Sequence, residues 1–188
     1  MINTELKKTG SILQSGGIIL YPTDTIWGIG CDATRPASVQ NIYRIKQRDD
    51  RKSMLVLVDG IAMLEKYIEK IPPSALDIIR KAVKATTIIY PGARNLADNI
   101  IASDGSIGIR ITSDPFCKQL IETTGKPIVS TSANISGEES PLVFQDIKTE
   151  IHEAVDYVVQ WRQDETVPAS PSAILKLESD GTITTLRP

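Results

Sequence analysis

PASVQNIYRIKQRDDRKSMLVLV, residues 36–58, joins two different patterns. Pro36 suits the first turn of a helix, and Val39, Ile42, Tyr43 and Ile45 recur at helical spacing to form one apolar face. The segment ends in SMLVLV (53–58), a continuous apolar run that reads as a strand covered on both faces. A helix feeding a doubly covered strand is the repeating unit of an α/β protein.

The same alternation extends in both directions. Upstream, residues 4–15 form a helix that Thr4 or Asn3 can cap, with Leu6 and Leu13 on one face and Gly16-Gly17 as its stop. GIILY (17–21) is a short strand ended by Pro22, and TIWGIGCD (25–32) is a second strand, with glycines where a backbone or ligand comes close. Downstream, helices near 60–70 and 74–84 are divided by Pro72-Pro73. ATTIIYP (85–91), SIGIRI (106–111) and PIVST (127–131) read as strands. DPFCKQLIETTG (114–125) carries an Asp cap, a Pro at the first helical position and a terminal Gly. A polar loop (132–141), a helix (144–154), a strand (156–160) and a hairpin around Asp180-Gly181 (172–187) complete the chain. Together these elements predict a three-layer α/β fold, with helices flanking a twisted sheet of mixed parallel and antiparallel strands. A length of 188 residues fits one domain, 1–188.

Composition narrows the function. Twenty-one Lys and Arg against 23 Asp and Glu give a net charge of −2, which argues against a nucleic-acid-coating protein but leaves room for a local basic site. Cys31 and Cys117 lie far apart, so neither a disulfide scaffold nor a zinc ribbon is expected, and a reducing, cytoplasmic compartment fits. His152 is the only histidine, which argues against a His-based triad or metal site. No apolar run is long enough for a membrane span, and residues 1–17 do not read as a signal peptide. Neither a P-loop nor a dinucleotide-binding glycine fingerprint is present.

Four places can carry chemistry. RIKQRDDRK (44–52) holds five basic residues among nine: Arg44, Lys46, Arg48, Arg51 and Lys52. It reads either as a helix end favoured by the dipole or as a polyphosphate clamp. STSANISGEES (130–140) reads either as a polar turn or as a loop whose Ser132 and Asn134 bond a carboxylate, phosphate or ribose. YPTDTIWG (21–28) sets Asp24 between two threonines, as turn formers or as groups aimed into a pocket. Arg110 interrupts the apolar strand SIGIRI and needs a partner, either a structural carboxylate or an anionic ligand.

These segments, in this order, resemble the YrdC-like family of threonylcarbamoyl-AMP synthases. YPTDTIWGIGCDA is similar to the family's YPT[DE]TxxGLGxDA, and IYRIKQRDDRKSMLVLV to its K-x-R segment and following strand. YPGARNL, SIGIRI, STSANISGEESP, PSAILKL and the closing LRP resemble further family motifs. The chain departs from the pattern at Asp49, Ser53, Met54, Leu57 and Ala173, and in YPGARN for WPGPLT.

The resemblance implies the YrdC-like fold, α+β in some schemes, in its short form. It also implies a nucleotidyltransferase reaction, in which L-threonine, bicarbonate and ATP give threonylcarbamoyl-AMP and pyrophosphate. By resemblance, Lys46 and Arg48 act in catalysis, and Lys46, Arg48, Lys52, Ser106, Asn134 and Arg187 bind ATP. Thr25, Arg110, Ser132 and Ser172 would surround threonine or its carbamate. Mg²⁺ would accompany ATP, and no metal ligands are assigned to protein side chains. A downstream transferase would carry the product to an adenosine beside the tRNA anticodon. The competing expectation is an RNA-binding paralogue or accessory factor that contacts tRNA or double-stranded RNA.

Overall fold

The computed structural model describes residues 2–49, 54–178 and 181–188. In chain order the elements are α1 (Ile2–Gln14), β1 (Ile19–Tyr21), β2 (Gly28–Gly30), α2 (Pro36–Ile45), β3 (Leu55–Val58), α3 (Ile61–Tyr67), α4 (Pro73–Lys81), β4 (Thr86–Tyr90), β5 (Ile107–Ile111), α5 (Pro115–Thr124), β6 (Ile128–Ser132), α6 (Thr149–Ala154), β7 (Tyr157–Val158), β8 (Ala173–Leu177) and β9 (Ile183–Arg187). Short 3-10 turns occupy Asp98–Ile100 and Phe144–Asp146. The strands form one sheet in the order β7-β1-β2-β6-β3-β5-β4-β8-β9. β1 with β7, β3 with β5 and β4 with β8 run parallel, and the other neighbours run antiparallel. Helices flank the sheet: α1 packs on α5, and α3 on β3 and β5. No helix among the described residues is long and apolar enough to cross a membrane.

Register decides what each face does. Val56 lies opposite both Ile109 and Val129, and Ile109 opposite Ile88, so these apolar side chains share one buried face. Each removes enough apolar surface to contribute roughly 1.5–3 kcal/mol. The residues between them point the other way. Leu55 opposes Ser130, Leu57 opposes Arg110, Gly108 opposes Ile89, and Thr87 opposes Ile174. This second face is mixed in polarity, and a cavity lies against it.

Local chemistry explains the element ends. α5 starts as read: the Asp114 carboxylate accepts from the Cys117 amide at 2.8 Å, Pro115 follows, and Gly125 closes the helix at φ 65°. The helix expected over 36–48 ends at Ile45, because Gln47 adopts a left-handed φ of 48°. That turn leaves the Lys46 carbonyl free to accept from the Ser136 amide at 2.8 Å. The strand expected over 25–32 is regular only at 28–30, because Thr23 and Thr25 build a turn in front of it. The helix expected over 144–154 is two pieces, a 3-10 turn and the six-residue α6. Between them Ile147 leaves the helical conformation and enters the core. Ser53 and Asp180, parts of the expected strand and hairpin turn, lie outside the described residues.

Gly30 is fixed by its neighbours. A Cβ there would stand 2.6 Å from the Val129 carbonyl oxygen and 2.7 Å from Tyr21 Cε1. The Tyr21 ring lies across this strand and donates its hydroxyl to the same Val129 oxygen at 3.2 Å.

Candidate functional site

The cavity has a volume of about 260 Å³. Its floor is the mixed face of the sheet, where Gly28 and Gly108 expose backbone and Ser130 and Thr87 supply hydroxyls. Its walls come from the Thr25–Trp27 turn, from Arg48 and Met54, from Ser140, and from Pro171-Ser172 before β8.

Arg110 stands on β5 and is 2% exposed. Its Nη2 donates to Asp24 Oδ1 at 2.9 Å and to Thr25 Oγ1 at 3.2 Å. Asp24 turns its other oxygen to the Ser113 amide at 3.0 Å. Arg110 Nε is buried without a hydrogen-bond partner. The strand arginine therefore has its structural carboxylate and still keeps a donor in need of an acceptor.

Arg187 reaches the cavity through an irregularity in β9. Arg187 opposes Ile174 and Thr185 opposes Leu175, which leaves Leu186 as an extra residue. The bulge puts Arg187 on the same face as Ile174, which lines the cavity. Arg187 Nε donates to the Ser172 carbonyl at 2.7 Å, and Nη2 lies 3.5 Å from Ser172 Oγ. Ser172 Oγ also lies 2.8 Å from Thr87 Oγ1. Burial, and then the charge of Arg110, lower the pKa of the Arg187 guanidinium. Three guanidinium groups facing one cavity suit a polyanion.

Lys46 sits deeper. It is 1% exposed, and its Nζ donates to the Ser132 carbonyl at 2.5 Å, the Asn134 carbonyl at 2.6 Å and Asn134 Oδ1 at 3.4 Å. Three acceptors match its three protons. Burial, and then Arg48, push its pKa down to about 8. Lys46 thus ties the end of α2 to the polar loop after β6. Asn134 completes the tie by donating to the carbonyls of Ile135 and Glu138.

Of the residues singled out in the sequence, Thr25, Arg48, Arg110, Ser132, Ser172 and Arg187 line the cavity. Lys46 and Asn134 do not line it: Lys46 holds the carbonyl of Ser132, and Asn134 lines a neighbouring cavity. Ser106 stands just before β5, outside the lining, with its hydroxyl on Asp104 at 2.6 Å. Lys52 lies outside the described residues. Thr87, Ser130 and Gly108 were not singled out. Their signal was the period-2 alternation of β4, β5 and β6, which gives meaning to a side chain only once register is known.

The family model of Sua5, YciO and YrdC proteins, described as "Telomere recombination", matches residues 11–188. The threonylcarbamoyl-AMP synthase of Pseudoalteromonas translucida (strain TAC 125) is 35% identical over 150 residues, 78% of this chain and 80% of that protein. That of Psychromonas ingrahamii is 35% identical over 147 residues, 77% of each chain. Among solved structures, E. coli YciO superposes with a TM-score of 0.85 at 23% identity, covering 100% of this chain and 89% of that one. Sua5 of P. abyssi complexed with L-threonine gives 0.86 at 20% identity and covers 97% of this chain. The chain spans about half the length of that Sua5, 53%. At these identities the superpositions show a shared fold, while the family match and the two synthases carry the relationship: the chain belongs to the Sua5/YciO/YrdC family.

Proposed function

We propose that this chain is a threonylcarbamoyl-AMP synthase, a nucleotidyltransferase that joins L-threonine, bicarbonate and ATP. The observation that carries the reading is Arg110, a buried guanidinium with an unsatisfied Nε, beside Thr25 in a cavity that Arg48 and Arg187 also line. An amino acid presents a carboxylate to the first arginine, and a nucleotide presents phosphates to the other two. Threonylcarbamoyl-AMP synthases 35% identical to the chain support the same assignment.

The chemistry asks little of the protein beyond placement. The neutral amine of threonine attacks bicarbonate, a C–N bond forms, and water leaves to give the carbamate. A carbamate oxygen then attacks the α-phosphorus of ATP in line, and pyrophosphate departs with the bridging electrons. The nucleophile is already anionic, so no histidine base is needed. The guanidinium groups neutralise charge that builds on the phosphates. Mg²⁺ would enter together with ATP, as the MgATP substrate. A transferase acting on tRNA adenosine would consume the product.

Incubation of the purified protein with MgATP, bicarbonate and labelled threonine tests this. Threonine- and bicarbonate-dependent release of pyrophosphate, with a labelled adenylate, is expected. Absence of both, together with RNA binding that weakens steeply with salt, would favour the RNA-binding alternative.

A further inference from the structure

Arg162, in the segment between β7 and β8, holds a backbone conformation that its residue type disfavours. Its φ is 63°, in the left-handed region, where a Cβ crowds the following carbonyl and glycine is the easy choice. The side chain supplies the compensation. Nη1 donates to Asp114 Oδ2 at 2.7 Å and to the Thr23 carbonyl at 3.2 Å, and Nε donates to Glu165 Oε1 at 2.6 Å. Asp114 lies just beyond β5, and Thr23 opens the turn that carries Asp24, Thr25 and Trp27. One nitrogen thus bridges two segments far apart in sequence.

That turn has open space on both sides. Thr25 and Trp27 line the cavity described above, and both also line a second cavity of about 400 Å³, with Pro22, Arg162 and Val167. Close packing, which places most of the core, does not place such a partition. Hydrogen bonds do. Within the first cavity Asp24 meets Arg110 on β5. Behind it Thr23 meets Arg162, which Asp114 holds. The two bridges tie one turn to the same end of one strand.

We propose that Arg162 is a positioning residue for the reaction. It does not line the substrate cavity, and it acts by keeping the turn at a fixed distance from Arg110. The proposal rests on the amino-acid reading of the site and adds to it a residue outside the cavity. Without the outer bridge the turn can retreat into the second cavity, and the amino-acid side of the site widens. Arg48 and Arg187 stand on other parts of the chain, after α2 and on β9, and keep their places.

Two variants separate placement from stability. Arg162→Gly and Arg162→Ala both delete the bridge, but only glycine also relieves the left-handed backbone. Arg162→Ala should therefore melt below Arg162→Gly. The threonine requirement is expected to rise by the same factor in both, about 2- to 30-fold, with the ATP requirement near wild type. A purely structural arginine predicts another pattern, in which the defect follows the melting temperature and falls on both substrates. That pattern, or an unchanged threonine requirement in Arg162→Gly, overturns the proposal. Amide exchange followed by NMR gives a readout without turnover. The Thr25 amide, which donates to Thr23 Oγ1 at 3.0 Å, is expected to speed up by a larger factor than the amides of β3 in both variants. An equal factor, or no change, overturns the proposal. A wild type without threonine-dependent release of pyrophosphate removes the amino-acid reading instead, and the Thr25 amide then decides the role of Arg162 by itself. Should Arg162→Ala fold poorly, Arg162→Gly decides on both readouts.

Discussion

Asp24 and Arg110 are 86 residues apart in sequence and meet at 2.9 Å, with both side chains nearly out of solvent. The pair links the loop after β1 to the centre of the sheet. It also commits one arm of the guanidinium, so that a ligand meets an arginine already oriented. Removing one partner of such a pair costs about 3–5 kcal/mol, because a buried charge is left behind. Arg110→Leu is expected to lower stability by that amount in denaturant unfolding. Asp24→Asn combined with Arg110→Leu should recover part of the loss, and an additive double variant would refute the coupling.

Arg110→Lys separates binding from structure. Lysine keeps the charge and loses the planar donor set. The threonine requirement should rise while the ATP requirement stays near wild type. Separate titrations of the two substrates check this. An equal rise in both would place Arg110 outside the amino-acid pocket.

Lys46→Met removes the ammonium from three acceptors on the loop after β6. Each stranded buried acceptor costs about 1–3 kcal/mol. The variant is expected to melt at lower temperature and to use ATP poorly, because Ser132 loses its anchor. Wild-type melting together with wild-type pyrophosphate release would contradict the tie.

Alkaline pH should destabilise the fold through its thiols. Burial raises the pKa of Cys31, with Asp32 adding to it, and burial raises that of Cys117, with Asp114 and Asp24 adding to it. The unfolded chain therefore loses these protons above about pH 8.5 while the folded chain keeps them, and stability falls as pH rises. Lys46 opposes this trend. Its pKa is lowered to about 8, so between that value and the ordinary lysine range the unfolded chain binds the extra proton. Unfolding curves from pH 7 to 10 should show a net loss. The loss should be shallower in a double Cys→Ala variant and steeper in Lys46→Met.

Gly30→Ala and Gly60→Ala form a matched pair. A methyl at Gly30 meets a carbonyl oxygen and a tyrosine ring within 2.7 Å, whereas nothing lies within 4 Å of a Cβ at Gly60. Overpacking of this kind costs about 1–3 kcal/mol. Thermal melting should show a clear loss for the first and almost none for the second.

The alternation of helices and strands was legible wherever local signals were strong, as in the Asp114-Pro115 start and Gly125 stop of α5. Ile147 was not legible as a break, because its spacing fits a helix and only the pull of the core takes it out of one. Arg110 announced itself as a charge in an apolar strand. Lys46 looked like a member of a basic run, and its burial depends on carbonyls that approach from β6, far along the chain. The bulge at Leu186 left no trace in the local pattern, since a one-residue slip in register is set by pairing with β8.

β2 and β3 follow one another in sequence, yet β6 lies between them in the sheet. The first third of the chain therefore leaves the ribosome with a β1–β2 pair and a lone β3 that share no edge, and both wait for β6, made much later. Closing such distant pairs costs loop entropy before any contact rewards it, which places folding in the slow range of mixed topologies. The floor of the cavity and the joining of the two parts of the sheet then draw on the same late strand, β6. A nascent chain lacking residues 128–132 has neither a continuous sheet nor a complete cavity floor, and separately made fragments split between β3 and β6 should regain activity only on co-folding.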